Sequence, residues 1–279
     1  MNDSTGRAIA EVAAVPVSSP INLAKYREAP IVWVHRWNAG LMSFRVHRDP
    51  AYRFQAGQFA RIGLATETGE TLWRAYSIVS SPQEDALEFF LVVLPNGAFS
   101  SRVGRFNVGD RIFVEHESQG FLTLDRFANW ADGPRDLWLF ATGTGLAPYI
   151  SMLRDSAVWS QFENIVLVLS VRDRSDLAYE EELHALCDAR SQPGRARLRF
   201  IVTLTRDERH GALKGRIPTL VESGALESQS GVALDAMRSR FMLCGNPDMV
   251  ESMRALLKSR GFRMNRRLDP GHIIVENYW

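Results

Sequence analysis

Three stretches of this 279-residue chain carry residue types that could do chemistry together. The first is Arg74-Ala75-Tyr76-Ser77. It supplies a cation for a phosphate, an aromatic plate for a planar ring, and a hydroxyl for a hydrogen bond at the ring's edge. A flavin offers all three counterparts. On a strand, alternation puts Arg74 and Tyr76 on one face and Ser77 on the other, where Ser77 can bond near the flavin N5 that receives hydride. The second stretch is Thr142-Gly143-Thr144-Gly145-Leu146-Ala147-Pro148. Its glycines let the backbone approach a ligand closely, and the helix that follows offers free amides and a partial positive charge to a pyrophosphate. Pro148 suits the first turn of that helix. The third glycine of the dinucleotide fingerprint is absent, so by itself the turn reads equally as a plain strand–helix connection. The third set is a series of arginines trailing apolar runs: Arg172 with Arg174 close behind, then Arg206 and Arg216. Cations just past the carboxyl ends of parallel strands suit the 2′-phosphate of NADP, whereas an NAD site usually presents an acidic residue.

Two kinds of element must position these groups. Residues 1–30 lack a clear period and contain Pro16, Pro20 and Pro30, which predicts an extension that is partly ordered at best. Short apolar runs at 31–37, 42–47, 58–64, 75–79, 87–94 and 111–116 then read as strands. The breaks between them hold Gly40, Gly57, Gly69, Pro82, Asn96-Gly97 and Gly109-Asp110. Strands at this spacing predict a small antiparallel β-barrel. Past residue 133 the rhythm changes. Runs at 137–141 and 165–171 are almost wholly apolar, as in a parallel sheet covered on both faces. Residues 148–159 and 177–189 read as helices, 198–204 and 241–244 as strands, and 247–260 as a helix with Met249, Met253 and Leu256 on one face. Strands alternating with helices give a parallel α/β sheet, which binds nucleotides at the carboxyl ends of its strands. The expected organisation is therefore an extension (1–30), an antiparallel β-barrel domain (31–133) and a parallel-sheet α/β domain (134–279), with Asp132-Gly133-Pro134 as the linker.

Composition narrows the function. Hydrophobic residues at 46% and charged residues at 23% are ordinary globular values. A net charge of +1 gives no whole-chain argument for nucleic acid or an anionic membrane. No apolar run is long enough to span a bilayer. Residues 8–17 are mildly apolar, but Glu11 interrupts them and only Arg7 precedes them, a poor signal peptide. A cytoplasmic setting is expected. Cys187 and Cys244 are too few for a four-cysteine iron–sulfur cluster and are not spaced like a zinc site, so reduced thiols are expected. His35, His47, His116, His184, His210 and His272 show no ligand spacing, and no metal is expected.

From residue 31 to the carboxyl end the chain resembles bacterial ferredoxin–NADP(H) reductases. The resemblance rests on Ala56-Gly57-Gln58-Phe59, Arg74-Ala75-Tyr76-Ser77, Gly97-Ala98-Phe99-Ser100, Gly109-Asp110, Gly120-Phe121, Ala141-Thr142-Gly143-Thr144-Gly145, Gly215-Arg216-Ile217-Pro218, Cys244-Gly245-Asn246-Pro247 and the terminal Val275-Glu276-Asn277-Tyr278-Trp279, in that order and spacing. It implies that Arg74, Ala75, Tyr76, Ser77 and Val92 bind FAD, with Ser77 at the reactive edge of the ring, and that Phe99 and Ser100 offer backbone amides to its pyrophosphate. It implies that Thr142 and Gly143 line the dinucleotide site, that Arg172, Arg206 and Arg216 hold the adenosine phosphate of NADPH, and that Cys244 lies near the nicotinamide. Tyr278 would cover the flavin ring, Trp279 would stack on the adenine of a folded-back FAD, and Glu276 would relay a proton or position the nicotinamide. The implied catalytic set is Ser77, Cys244, Glu276 and Tyr278. The implied reaction moves hydride between NADP(H) and flavin N5 and single electrons to ferredoxin or flavodoxin, in a monomer. Arg45, Arg48, Arg53 and Arg61 could contribute to a basic face for such an acidic partner, or read equally as a solvated barrel surface. An oxygenase reductase component whose cluster sits on a separate partner, or a free-flavin reductase, is the alternative within the same superfamily. A non-catalytic flavin or NADP(H) sensor is the alternative of a different class, and it leaves Ser77, Cys244 and Glu276 without a chemical use.

Overall fold

The computed structural model describes residues 25–66, 71–127, 135–190 and 196–276. Six strands come first: β1 (Tyr26–Asn38), β2 (Leu41–His47), β3 (Phe59–Ala65), β4 (Thr71–Ser77), β5 (Ala86–Val92) and β6 (Arg111–Glu115). They pair antiparallel in the order β4-β3-β6-β1-β2-β5. The two ends of the sheet meet: Ile78, just past β4, bridges Phe89 of β5, and the Val79 N–H donates to the Glu88 carbonyl at 2.8 Å. The result is the expected barrel. Its core follows the two-residue period, with Ile62 and Leu64, Phe89 and Leu91, Ile112 and Val114 all turned inward. The short helix α1 (Ser100–Val103) and its flanks add Phe99, Val103 and Phe106 to that core.

The barrel begins ahead of the expected start at residue 31, which corrects the expected extent of the extension. Tyr26 to Pro30 pair with Glu115 to Arg111 of β6, and from Ile31 the strand pairs with β2 instead. Pro30 hides this half of β1 from a sequence reading, because proline cannot donate to a ladder. It is accommodated where the strand changes partners. The expected boundary at residues 133 and 134 lies outside the described residues.

The second sheet contains β7 (Asp136–Thr142), β8 (Asn164–Val171), β9 (Arg197–Leu204), β10 (Leu213–Lys214), β11 (Ser239–Cys244) and β12 (Ile273–Glu276), all parallel, in the order β10-β9-β8-β7-β11-β12. Alternate residues of β7 face opposite layers. Leu137, Leu139 and Ala141 pack with α2 (Ala147–Arg154), α3 (Ala157–Gln161) and α4 (Glu180–Ala189). Trp138 and Phe140 pack toward α5 (Ile217–Glu222), α6 (Ala225–Ser230) and α7 (Pro247–Ser259). The single helix expected over 148–159 is two, α2 and α3. Asp155 turns extended after α2, and its carboxylate accepts from the Ala157 N–H at 3.1 Å, which ends one helix and starts the next.

The barrel and the sheet share a core. Leu41, Phe90, Leu122, Leu124 and Phe127 of the barrel half join the α2 face of the sheet. Across this contact, the fully buried Glu88 of β5 accepts from Arg45 at 2.9 Å, Arg154 at 3.0 Å and the Tyr179 hydroxyl at 2.6 Å. Arg154 also grips Glu182 with two bonds, at 2.7 and 2.8 Å. The Tyr179 hydroxyl lies 2.6 Å from Ser43 Oγ, which accepts from the Trp37 indole at 2.9 Å. Burial, and the charge of Glu88 beside it, drive the Tyr179 hydroxyl well above its ordinary pKa, so it stays a donor. Tyr179 pays for its place with a left-handed backbone, φ 59°, which a non-glycine residue holds only when its surroundings enforce it. A buried carboxylate is tolerable while paired and costly when stripped. Arg154→Met should therefore lower the unfolding free energy by about 3–5 kcal/mol, and Tyr179→Phe by about 1–3 kcal/mol. Urea denaturation checks both, and wild-type midpoints would show that this network does not hold the halves together.

Candidate functional site

The loops after β7 and β11 are pressed against each other. The Asn246 N–H donates to Thr142 Oγ1 at 2.6 Å. A Cβ on Gly245, whose φ is +131°, would collide with Thr142 Oγ1 and lie 2.8 Å from the Thr142 carbonyl oxygen. Gly145 abuts the Cys244 carbonyl in the same way. Gly143 differs: its φ is +52°, yet nothing lies within 4 Å of where its Cβ would be. Gly145 and Gly245 thus serve packing between the loops, while Gly143 presents backbone to open space at the head of α2, where Pro148 occupies the first turn as expected.

A continuous row of residues joins the two halves. Cys244 ends β11, fully buried, between Ala141 of β7 and Glu276 of β12. Burial and the nearby Glu276 carboxylate raise its thiol well above the ordinary range, so it stays protonated and is a neutral wall rather than a thiolate nucleophile. Glu276 reaches the barrel: a Cβ on Gly120 would lie 2.7 Å from Glu276 Oε1 and 3.0 Å from the Phe59 ring. Phe59 pairs in turn with Ser77 at the end of β4, and with Gln119 next to Gly120. The row Ser77, Phe59, Gly120, Glu276, Cys244 thereby links three of the four expected catalytic residues, although Ser77 and Glu276 are far apart in sequence. Tyr278 and Trp279 lie outside the described residues. Phe59 and Gly120 stand in the motifs but drew no role from the sequence; the sign of Gly120 is its φ of +110°, which composition does not reveal.

On the barrel side, Arg74 is half-buried and donates to the neighbouring Trp73 carbonyl at 2.8 Å. Among the described residues no carboxylate pairs with it, which suits an arginine meant for a phosphate. Tyr76 packs against the barrel core with its ring 5.9 Å from that of Phe99, and burial pushes its hydroxyl up to about 12. Ser77 is buried on the opposite face of β4, as alternation requires, while Ala75 is exposed. Ser100 Oγ accepts from the Leu94 N–H at 3.2 Å and closes the loop around Gly97. The Phe99 and Ser100 N–H groups have no protein acceptor among the described residues. Val92, at the end of β5, packs at the core shared by the two halves. An unpaired guanidinium, two open amides, an aromatic plate and a buried hydroxyl fit the phosphates and ring of FAD.

The far end of the sheet gathers Arg172, Arg174, Arg206, Arg209, Lys214 and Arg216. The Arg206 N–H donates to the Arg172 carbonyl at 2.9 Å, which holds the ends of β8 and β9 side by side, and Arg216 precedes α5 beside them. Three of these cations are already neutralised: Arg174 by Asp207 at 2.7 Å, Arg209 by Glu180 at 2.6 Å, and Lys214 by Glu208. Among the described residues, Arg172, Arg206 and Arg216 pair with no carboxylate, and all three are exposed. The structure therefore separates Arg174 from the arginines with which it was grouped in the sequence.

These loops predict different outcomes for two glycines. Gly143→Ala should cost only about 1–2 kcal/mol of backbone strain and should chiefly weaken nucleotide binding. Gly245→Ala should instead lower the melting temperature markedly, because its Cβ has no space. Thermal melts read alongside NADPH titrations check the contrast; equal melting temperatures would overturn it.

Known proteins resemble this chain along most of its length. The oxidoreductase FAD-binding domain model matches residues 35–119, and the oxidoreductase NAD-binding domain model matches residues 139–255. Ferredoxin–NADP reductase A of Sorangium cellulosum is 38% identical, over 90% of this chain and 89% of its own length. The flavodoxin/ferredoxin–NADP reductase of Escherichia coli K12 is 38% identical, over 92% of this chain and 100% of its own length. Among solved structures, a ferredoxin NADP+ reductase from Neisseria gonorrhoeae with bound FAD and NADP superposes with a TM-score of 0.85 at 34% identity, covering 91% of this chain and 99% of that one. With both domains matched along nearly the whole length, this chain belongs to the ferredoxin/flavodoxin–NADP reductase family.

Proposed function

We infer that this protein is an FAD-dependent oxidoreductase that passes electrons between NADP(H) and a ferredoxin or flavodoxin. The row from Ser77 to Cys244 supports the reading, because it joins a buried barrel hydroxyl to two groups of the sheet through a short run of neighbours. Bound FAD supplies the exchange between a two-electron hydride donor and a one-electron carrier.

The side chains do the rest. Arg74 pairs with an FAD phosphate, and the Phe99 and Ser100 amides hold the pyrophosphate. Tyr76 lies against the cofactor, Val92 borders it, and the Ser77 hydroxyl bonds at the edge of the ring that receives hydride. Thr142 and Gly143 present their backbone to the nicotinamide nucleotide. Arg172, Arg206 and Arg216 hold its 2′-phosphate by charge-assisted bonds. The protonated Cys244 closes the wall behind the nicotinamide, and Glu276 orients it or passes a proton. With FAD bound, Tyr278 would cover the ring and give way to the nicotinamide, and Trp279 would stack on the adenine. One chain supplies both walls, so the protein works as a monomer. A near-neutral chain with free thiols at Cys187 and Cys244 suits a cytoplasmic enzyme with no part in nucleic-acid binding.

Turnover of NADPH with ferricyanide tests the activity and the phosphate site together. Wild type should turn over rapidly; bound yellow chromophore without turnover would favour a sensor. Arg206→Ala should weaken NADPH about 10- to 100-fold, since each charge-assisted bond contributes about 1.5–3 kcal/mol, and should leave NADH nearly unchanged. Equal losses for both nucleotides would sink the assignment. Tyr278→Ser should alter both nicotinamide affinity and the hydride-transfer rate in stopped-flow traces. If neither moves, Tyr278 is not a gate.

A further inference from the structure

The acidic residues at the adenosine end of the site pose a problem that follows from the proposed function. Asp207 lies one residue past Arg206 and lines a hollow of about 500 Å³ together with Leu204, Arg209, Leu213 and Lys214. A bare carboxylate there would repel the 2′-phosphate of NADP(H) or compete with it for Arg206. It would also offer an acceptor to the 2′-hydroxyl of NAD(H), the feature that marks NAD sites in related folds.

The structure does not leave this carboxylate bare. Arg174 Nε donates to Asp207 Oδ2 at 2.7 Å and Arg174 Nη2 to Oδ1 at 3.1 Å, a two-pronged match of guanidinium to carboxylate. The Arg174 backbone N–H adds a bond to Oδ2 at 3.3 Å, and the Glu208 N–H donates to Oδ1 at 2.8 Å. These donors hold Asp207 well below the usual carboxylate range, so it stays charged, and masked, at every working pH. Arg174 Nη2 also reaches the Glu208 carbonyl at 3.4 Å, which sets the mask on the loop after β9.

We propose that Arg174 is a specificity-determining positioning residue: by covering Asp207 it keeps the adenosine end of the site selective for NADP(H) over NAD(H) without touching either nucleotide. The proposal rests on the phosphate site formed by Arg172, Arg206 and Arg216. It goes beyond that site, because Arg174 acts through a carboxylate rather than on a phosphate.

The test is a double-mutant cycle on the full-length flavoprotein, read as kcat/KM for NADPH and for NADH with ferricyanide at low and high salt. Arg174→Ala should lower the NADPH-over-NADH preference on the order of tenfold, the size expected of an unscreened like charge near the surface. The loss should appear in the KM for NADPH, shrink at high salt and leave kcat unchanged. Asp207→Asn should keep or raise the preference, since it frees a cation. The double variant should return to the wild-type preference. An unchanged preference in Arg174→Ala overturns the proposal. So does a drop in Asp207→Asn as large as in Arg174→Ala, or a double variant that stays low, since either makes the pair a structural clamp. Arg206→Ala run in parallel separates the two levels: if it too leaves the preference unchanged, the phosphate site itself is misassigned.

Discussion

Glu88 sits on a barrel strand with its carboxylate fully buried, and its cationic partner from the sheet half, Arg154, ends the helix that follows the Gly-rich turn. The cleft depends on this pair. Because α2 is a rigid rod of only eight residues, anchoring its last residue to the barrel also fixes where its first turn points. Gly143 and the α2 amides therefore hold a set position against β4 and β5. If the halves parted, Glu88 would keep Arg45 of the neighbouring barrel strand but lose its bonds from Arg154 and Tyr179, so separation carries a penalty. Tyr179 completes the arrangement from the next layer, and its left-handed backbone shows how strongly the surroundings enforce it.

With the halves fixed, groups from both come together. Ser77 stands at the end of a barrel strand, and Cys244 and Glu276 at the ends of neighbouring sheet strands. Contact is made where bulk is absent. Gly120 lets Glu276 and Phe59 meet, and Gly245 lets the loop after β11 rest on Thr142. The protonation of Cys244 follows from the same closeness, since burial and the Glu276 charge both oppose a thiolate.

Charge at the nucleotide end is arranged by subtraction. Many cations collect there, but Asp207, Glu180 and Glu208 each neutralise one. Among the described residues, Arg172, Arg206 and Arg216 remain exposed and without a carboxylate partner. The charge left available there depends as much on which carboxylates are covered as on how many arginines collect.

Much of this was legible in the sequence. Two-residue periods bounded by glycine and proline marked the barrel, and apolar runs alternating with helical patterns marked the parallel sheet, because burial on one face or two is written locally in residue order. The Gly-rich turn between β7 and α2 could be found for the same reason. The misses also have local causes: Pro30 concealed the first half of β1, Asp155 split a helix that hydrophobic spacing made continuous, and four-residue β12 was too short to show a period. Only the tertiary structure decided which distant groups meet. Strand order puts Glu276 beside Cys244 and carries it to Gly120 across the cleft. It also brings together loops 33 residues apart, so that Arg174 meets Asp207 while Arg172 meets no carboxylate among the described residues. Composition treats those two arginines alike; a carboxylate delivered by the neighbouring strand makes them different.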